Sequence, residues 1–279
     1  MDSWRQPKIN IHKPHKSPCG LFSFSPHQQS PTMKYVLAIL SASVLSLAAS
    51  PPSPASPPPY IKGCSLKKSD LDKCAVEQAN YALPFVVKGD KERNVPKMNP
   101  LVLPLLELIQ ENKWRLALKN FHIYGLENIT VSNVKVSKSN LKFTLNVDNL
   151  DMKSDYEMDG RLIFLNLEGS GPSFFKFVGG SYTFDAPLSS YKSKNGKNYF
   201  QYNKPTMEYT VKRVHLQFDN LLNKEFNNTG VSPNKILDDN WDAVMEDIDV
   251  PFKDVVTTVL QGLVSSVMDD IPEKSMFPE

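Results

Sequence analysis

Pro233-Asn-Lys-Ile-Leu237-Asp-Asp-Asn-Trp241-Asp-Ala-Val244-Met245-Glu-Asp-Ile248-Asp-Val-Pro251-Phe252-Lys-Asp-Val255-Val256-Thr-Thr-Val259-Leu260-Gln-Gly-Leu263-Val264-Ser-Ser-Val267-Met268-Asp-Asp-Ile271 decides the reading of this chain. From Leu237 to Ile271 its apolar side chains recur at i, i+3 and i+4, one unbroken helical stripe. That periodicity predicts a helix on the order of 55 Å long at about 1.5 Å per residue, several times the average helix. Something equally long must cover the stripe. The other face is acidic, with Asp238, Asp242, Glu246, Asp247, Asp249 and Asp254, which makes the helix a surface element with one buried side. Pro251 removes a backbone donor and predicts a bend near Asp247 to Val250. A coiled coil and two helices broken at Pro251 are the alternatives. The stripe drifts with a 3.6 period and few charges flank it, which favours a bent helix wrapped by a sheet.

Met33-Lys34, the apolar run from Tyr35 and the small residues ending at Ala48-Ala49 have the layout of a secretory signal peptide at 33–49. The run is too short to span a bilayer. A buried helix is the competing reading, but the proline-rich segment 50–61 would sever it from the domain. Residues 1–32, polar and without periodicity, read as an upstream extension or gene-model artefact. Residues 1–48 hold five basic residues and one acid, against 32 and 30 in the whole sequence, so the remainder carries 27 and 29 and the net charge moves from +2 to −2. A chain so near neutrality offers no electrostatic basis for nucleic acid or an anionic membrane as partner, and the processed chain has no integral membrane segment. Lys62, Lys67, Lys68 and Lys73 read as a solvated helix face.

Cys19 falls in the discarded part, leaving Cys64 and Cys74. Two cysteines in a secreted chain suggest one disulfide, here stapling the start of the first helix to the loop before it. Neither the four ligands of a zinc site nor the spacing of a redox pair is present. The sequons Asn128-Ile-Thr130 and Asn227-Asn-Thr229 fit an extracellular glycoprotein.

No Gly- or Ser-rich linker divides the residues from Lys62 to 279, so they read as one domain. A helix is expected from Ser69, its N-cap, to Val87, with Gly89 after its end. Leu101 to Trp114 is apolar and reads as strand or irregular helix. Period-two alternation follows at Leu141, Phe143, Leu145 and Val147, at Tyr156, Met158, Leu162 and Phe164, and again at Met207, Tyr209 and Val211. Gly169-Ser-Gly171-Pro172, Gly179-Gly180 and Asn195-Gly196 are read as turns between strands, the last a type I′ hairpin cue. The fold class is therefore α+β, with a long C-terminal helix wrapped by a strongly curved antiparallel sheet.

The motifs of chemistry are missing. His122 and His215 are the histidines that remain after processing, both in strand-like contexts, and no nucleophile elbow, metalloprotease helix or phosphate loop occurs. Asp155-Tyr-Glu157-Met-Asp159-Gly160 begins like a calcium loop, but Asn166 stands where a bidentate Glu is needed and no helix flanks it. It reads as a polar strand edge with a bend at Gly160. Asp238, Asp239 and Asp242 are explained as acids at a helix start, near the positive dipole end. No cofactor, metal or catalytic residue is expected, and the chain is not read as an enzyme.

Cys64 and Cys74 after a signal peptide, Pro96-Lys-Met-Asn99-Pro100-Leu101, Tyr124-Gly125-Leu126, Asp155-Tyr156, Leu165-Asn166-Leu167-Glu168-Gly169-Ser170-Gly171, Phe218-Asp-Asn-Leu221 and Asp239-Asn240-Trp241 together resemble the insect takeout and haemolymph juvenile-hormone-binding protein family. The resemblance runs from Gly63 to the C-terminus and rests on the order and spacing of these segments. It implies a fold similar to the tubular lipid-binding proteins, with an elongated apolar tunnel. In function it implies a secreted, extracellular carrier of a small hydrophobic ligand: a juvenile-hormone-like terpenoid, a fatty acid or a chemosensory molecule. Haemolymph hormone carriers usually have a second disulfide, for which the processed chain lacks cysteines, so the resemblance is to the takeout branch.

Such a cavity would bind by excluding water, with one or two polar groups setting orientation. The candidate lining residues are Phe143, Leu145, Leu162 and Phe164 on strands and Val256, Leu260 and Leu263 on the helix, with Tyr124 or Tyr209 as the polar contact. The alternative is a secreted protein-interaction or receptor-docking module without an enclosed ligand.

Overall fold

The alternating segments pair into one antiparallel sheet, and the helical segments close it. The computed structural model describes residues 57–67, 69–223 and 232–278. In order they form α1 (Leu71–Lys88), a 3-10 turn (Lys91–Arg93), β1 (Leu101–Gln110), β2 (Trp114–Tyr124), a second 3-10 turn (Leu126–Asn128), β3 (Thr130–Val136), β4 (Asn140–Leu162), β5 (Leu165–Lys192), β6 (Asn198–Tyr202), β7 (Thr206–Thr210), β8 (Arg213–Phe218), β9 (Leu222–Asn223), α2 (Pro233–Asp239), α3 (Trp241–Asp247), α4 (Asp249–Met268) and α5 (Glu273–Met276). The spine is the β4–β5 hairpin, paired from Asn140↔Pro187 to Leu162↔Leu165. β2 and β3 share the free edge of β4, and β6 to β9 share that of β5.

Strands of 23 and 28 residues must twist and curl to remain packed. The glycine pairs expected to end strands instead bend them. Pairing steps from Val147↔Gly180 to Asn149↔Val178, and Gly179 there takes φ 64°. Below this irregularity the cavity-facing side chains of β4 are odd-numbered (Phe143, Leu145, Val147), and above it even-numbered (Leu150, Met152). The register is unchanged across it, with Asp148 and Gly179 both left out of the pairing, and a period-two reading of either strand changes phase there. Gly169-Ser-Gly171 is likewise interior to β5, where a Cβ on Gly169 would stand 2.6 Å from the Tyr156 hydroxyl. The Asn195-Gly196 hairpin forms between β5 and β6, but of its residues only Gly196 has positive φ, at 78°. Its bonds, Gly196 N to Ser193 O and Ser193 N to Lys197 O, fit a type I turn with a bulge, where type I′ was expected. Asp155 to Gly160 lies on a central strand, paired to β2 and β5, and is not a sheet edge.

The C-terminal stripe folds in three helical pieces where one bent helix was expected. Breaks fall at Asn240 and Ile248, and i→i−4 bonds bridge both: Asn240 N to Ile236 O, Val244 N to Asn240 O, Ile248 N to Val244 O and Phe252 N to Ile248 O. Pro251 has no N–H to offer Asp247 O, and the break at Ile248 falls within the stretch Asp247 to Val250 where a bend was expected from it. Acids tie the pieces to the sheet. Asp238 accepts from Arg213 Nη2 at 2.5 Å and from Leu216 N at 3.1 Å, and Asp247 accepts from Ile163 N at 2.8 Å. Asp238 and Asp239 thus close α2 at its C-terminal end, and the helix-start explanation holds only for Asp242, in the first turn of α3.

α1 begins two residues after Ser69, flanked by Asp70 with no side-chain cap, and Gly89 ends it. It lies on β3, where the Asn80 amide donates to Val131 O at 2.8 Å and accepts from Val131 N at 2.9 Å. Lys62 and Lys67 precede the helix and Lys73 lies on it; all three are exposed.

Candidate functional site

Apolar side chains from every layer converge on one cavity of about 490 Å³. α1 contributes Ala79 and Ala82, whose small side chains let the helix approach without filling the space. β1 and β2 contribute Leu103, Leu106, Leu116 and Leu118. β4 and β5 contribute Phe143, Leu145, Phe175 and Phe177, and α4 contributes Val256, Leu260 and Leu263. A filled core would bury the α4 stripe, yet among its residues only Val267 is buried, while Phe252, Val255, Val256 and Leu260 remain partly accessible. Their accessible surface faces the cavity. Native interiors pack to crystal density, so an apolar space of this size marks a volume that side chains were not selected to fill.

Six of the nine residues picked from the sequence line this space: Phe143, Leu145, Leu162, Val256, Leu260 and Leu263. The other three do not. Phe164 sits in the β4–β5 turn, 52% exposed, because the strand ends at Leu162 and Ile163 takes φ 50°, which throws the next side chain outward. Tyr124 ends β2, its ring 6.0 Å from Lys153 Nζ and 6.4 Å from His122, away from the lining. Tyr209 packs behind the wall, 4.9 Å from Phe252 and 6.3 Å from Tyr182, both of which line it. Burial, with the nearby Asp249 charge, pushes the Tyr209 phenol well above its ordinary pKa.

The cavity tyrosine is Tyr182, a residue the sequence reading missed. It is 7% exposed, and burial alone drives its phenol pKa upward. Its signal was available in the β5 alternation Tyr182, Phe184, Ala186, once a phase change at Gly179-Gly180 is allowed. Two more polar side chains reach the lining, Lys62 and Gln78, both at the α1 end. Lys62 is exposed and holds its ammonium 4.4 Å from the Tyr81 ring centroid.

Cys64 and Cys74 are bridged, with Cα atoms 6.0 Å apart, and Cys64 also lines the cavity. Asn128 is exposed at the second 3-10 turn. The sequon at Asn227, the signal segment 33–49 and residues 1–32 lie outside the described residues, as does most of the proline-rich segment 50–61. His122 Nδ1 is 2.6 Å from Asn120 O, and His215 Nδ1 is 3.3 Å from Asp238 Oδ1; neither histidine lines the cavity. Among the described residues no helix is long and apolar enough to cross a membrane.

A curled antiparallel half-barrel, closed by C-terminal helices over an apolar cavity, defines a tunnel-like fold class. The model of the haemolymph juvenile hormone binding protein (JHBP) family matches residues 37–278, and the chain belongs to that family. In three dimensions it is similar to the crystal structure of Epiphyas postvittana Takeout 1, with 22% sequence identity and a TM-score of 0.66 over 78% of this chain and 100% of that one. A lipopolysaccharide binding protein structure aligns at 10% identity and a TM-score of 0.27, over 68% of this chain and 39% of that one, too low to carry an argument. Among curated protein sequences none matches.

Proposed function

We propose that this protein is a secreted carrier that holds a small hydrophobic molecule, such as a terpenoid, fatty acid or chemosensory compound, in the cavity between sheet and helices. The observation that carries this reading is an apolar cavity of about 490 Å³ whose only polar side chains among the described residues, besides the Cys64 disulfide, are Lys62, Gln78 and Tyr182. A ligand burying roughly 300 Å² of apolar surface there gains about 7 kcal/mol at about 25 cal/mol per Å², before the costs of association. The Tyr182 hydroxyl supplies a polar contact. Family membership supports the carrier reading and a binding role in place of a catalytic one. The disulfide and the exposed Asn128 support secretion, with processing near Ala48-Ala49 and glycans at Asn128 and Asn227.

Organic-solvent extraction of protein purified from secreting cells, followed by mass spectrometry, tests the carrier reading. A stoichiometric hydrophobic compound is expected, and an empty extract from protein that also refuses added lipid would overturn it. N-terminal sequencing and glycosidase treatment of the same material test secretion; an unprocessed Met1 would refute it.

A further inference from the structure

Gln78 is out of place where it stands. It lies on the cavity side of α1, among Ala75, Ala79, Ala82 and Leu83, in a wall that is otherwise hydrocarbon on that helix. Its Oε1 is buried and has no hydrogen-bond partner among the described residues. Leaving a buried acceptor unpaired is costly, and native structures leave few of them so. A leucine at this position would line the cavity as its neighbours do and leave no orphan. Two residues further along α1, Asn80 shows the contrast: its amide is fully engaged by Val76 O and by both backbone groups of Val131. That clamp fixes the helix on β3, and with it the position of Gln78 over the cavity.

We propose that Gln78 is the head-group subsite of the cavity: it accepts a hydrogen bond from a ligand that carries a hydroxyl or N–H donor on a long apolar body. This inference rests on the carrier reading and narrows the ligand class. The Gln78 carbonyl has no bond to break when it turns toward a ligand, and the terminal amide torsion is soft. The unmet atom is Oε1, so the partner that satisfies it donates; an ether, an ester or an ionised carboxylate offers that oxygen only lone pairs. Position agrees with chemistry. Lys62, another hydrophilic lining residue, is exposed, so the head of such a ligand would lie where the lining meets solvent, with its tail along apolar residues such as Phe143, Phe177 and Leu260.

The test compares a long-chain primary alcohol with its methyl ether, equal in apolar body and differing in the donor, as competitors of a bound fluorescent fatty acid. Wild-type protein is expected to prefer the alcohol on the order of tenfold, the worth of one buried hydrogen bond. In Gln78→Leu the preference should fall to within about twofold, with the ether bound as well as before or better, and the unliganded variant should melt no lower than wild type. Should Gln78→Leu fail to fold, Gln78→Met replaces it at nearly unchanged shape. Equal affinity for alcohol and ether in the wild type, or a preference that survives in the variant, overturns the Gln78 assignment and leaves the carrier reading intact. Failure of the wild type to bind the fatty acid or either competitor overturns both.

Discussion

Replacing Leu260 with Trp separates a ligand cavity from a core that is merely loose. Leu260 projects from α4 into the cavity between the levels of Val256 and Leu263, and it is only partly buried because the space in front of it is open. An indole placed there takes the room of roughly two or three ligand methylenes. At about 0.8 kcal/mol per methylene, the loss in binding is about 2 kcal/mol, or roughly thirtyfold in Kd. In a filled core the same change would overpack, costing about 1–3 kcal/mol and lowering Tm by about 2–4 °C for each kcal/mol in a domain of this size. Titration with a fluorescent fatty acid and a thermal melt, both on one variant, read the two effects separately. Asp254→Ala, on the exposed side of α4, is the control and should change neither. A Tm lower by several degrees with fatty-acid affinity unchanged would refute the reasoning.

Other expectations concern the frame around the cavity. The fully buried Tyr156 donates to Asp219 O at 2.7 Å and packs edge-on against Phe218, so Tyr156→Phe, which orphans that carbonyl, should cost about 1–3 kcal/mol in chemical denaturation; an unchanged midpoint would show the bond to be dispensable. Burial, then the Asp219 charge, raises the Tyr156 phenol pKa to about 12. A phenol whose pKa is higher folded than unfolded stabilises the fold fully below the ordinary value near 10, and that contribution is lost as pH rises to about 12, so stability should fall in this window and fall less steeply in Tyr156→Phe. Equal alkaline slopes for the two proteins would contradict it. Cys64→Ala with Cys74→Ala opens a loop of sequence separation 10, which the chain-entropy relation values at about 2–3 kcal/mol, read as a lower denaturation midpoint; no loss would place the loop's order elsewhere.

The sequence carried the architecture well because two periodicities were long. An apolar stripe running from Leu237 to Ile271 has to be covered, and alternation over Leu141 to Leu162 supplies the cover. What it could not carry was phase. Inward positions are odd before the Val147–Leu150 irregularity and even after it, and only pairing shows where the change falls. Extending the even phase one step too far put Phe164 inside, when the chain had already turned at Ile163. Glycine pairs were read as turns because a glycine that ends a strand and one that bends it look the same without the partner strand. Tyr182 escaped for the same reason, since its inward phase begins only after Gly180. Tyr209, on β7, faces Tyr182 and Phe252 one layer out, a distinction of depth that alternation does not encode. Gln78 was hidden more simply: one glutamine on an amphipathic helix reads as surface until the partners of its oxygen are counted.

The central claim is that the space under α4 belongs to a ligand. Titrating the folded, delipidated protein with a panel of long-chain fatty acids, alcohols and terpenoids, while following both occupancy and thermal stability, tests it most directly. Saturation at one molecule per chain is expected for at least one member, with the folded state stabilised by about 2.7 kcal/mol at a hundredfold excess over Kd. Folded protein that binds none of the panel, with a melting temperature indifferent to all of it, would contradict the claim.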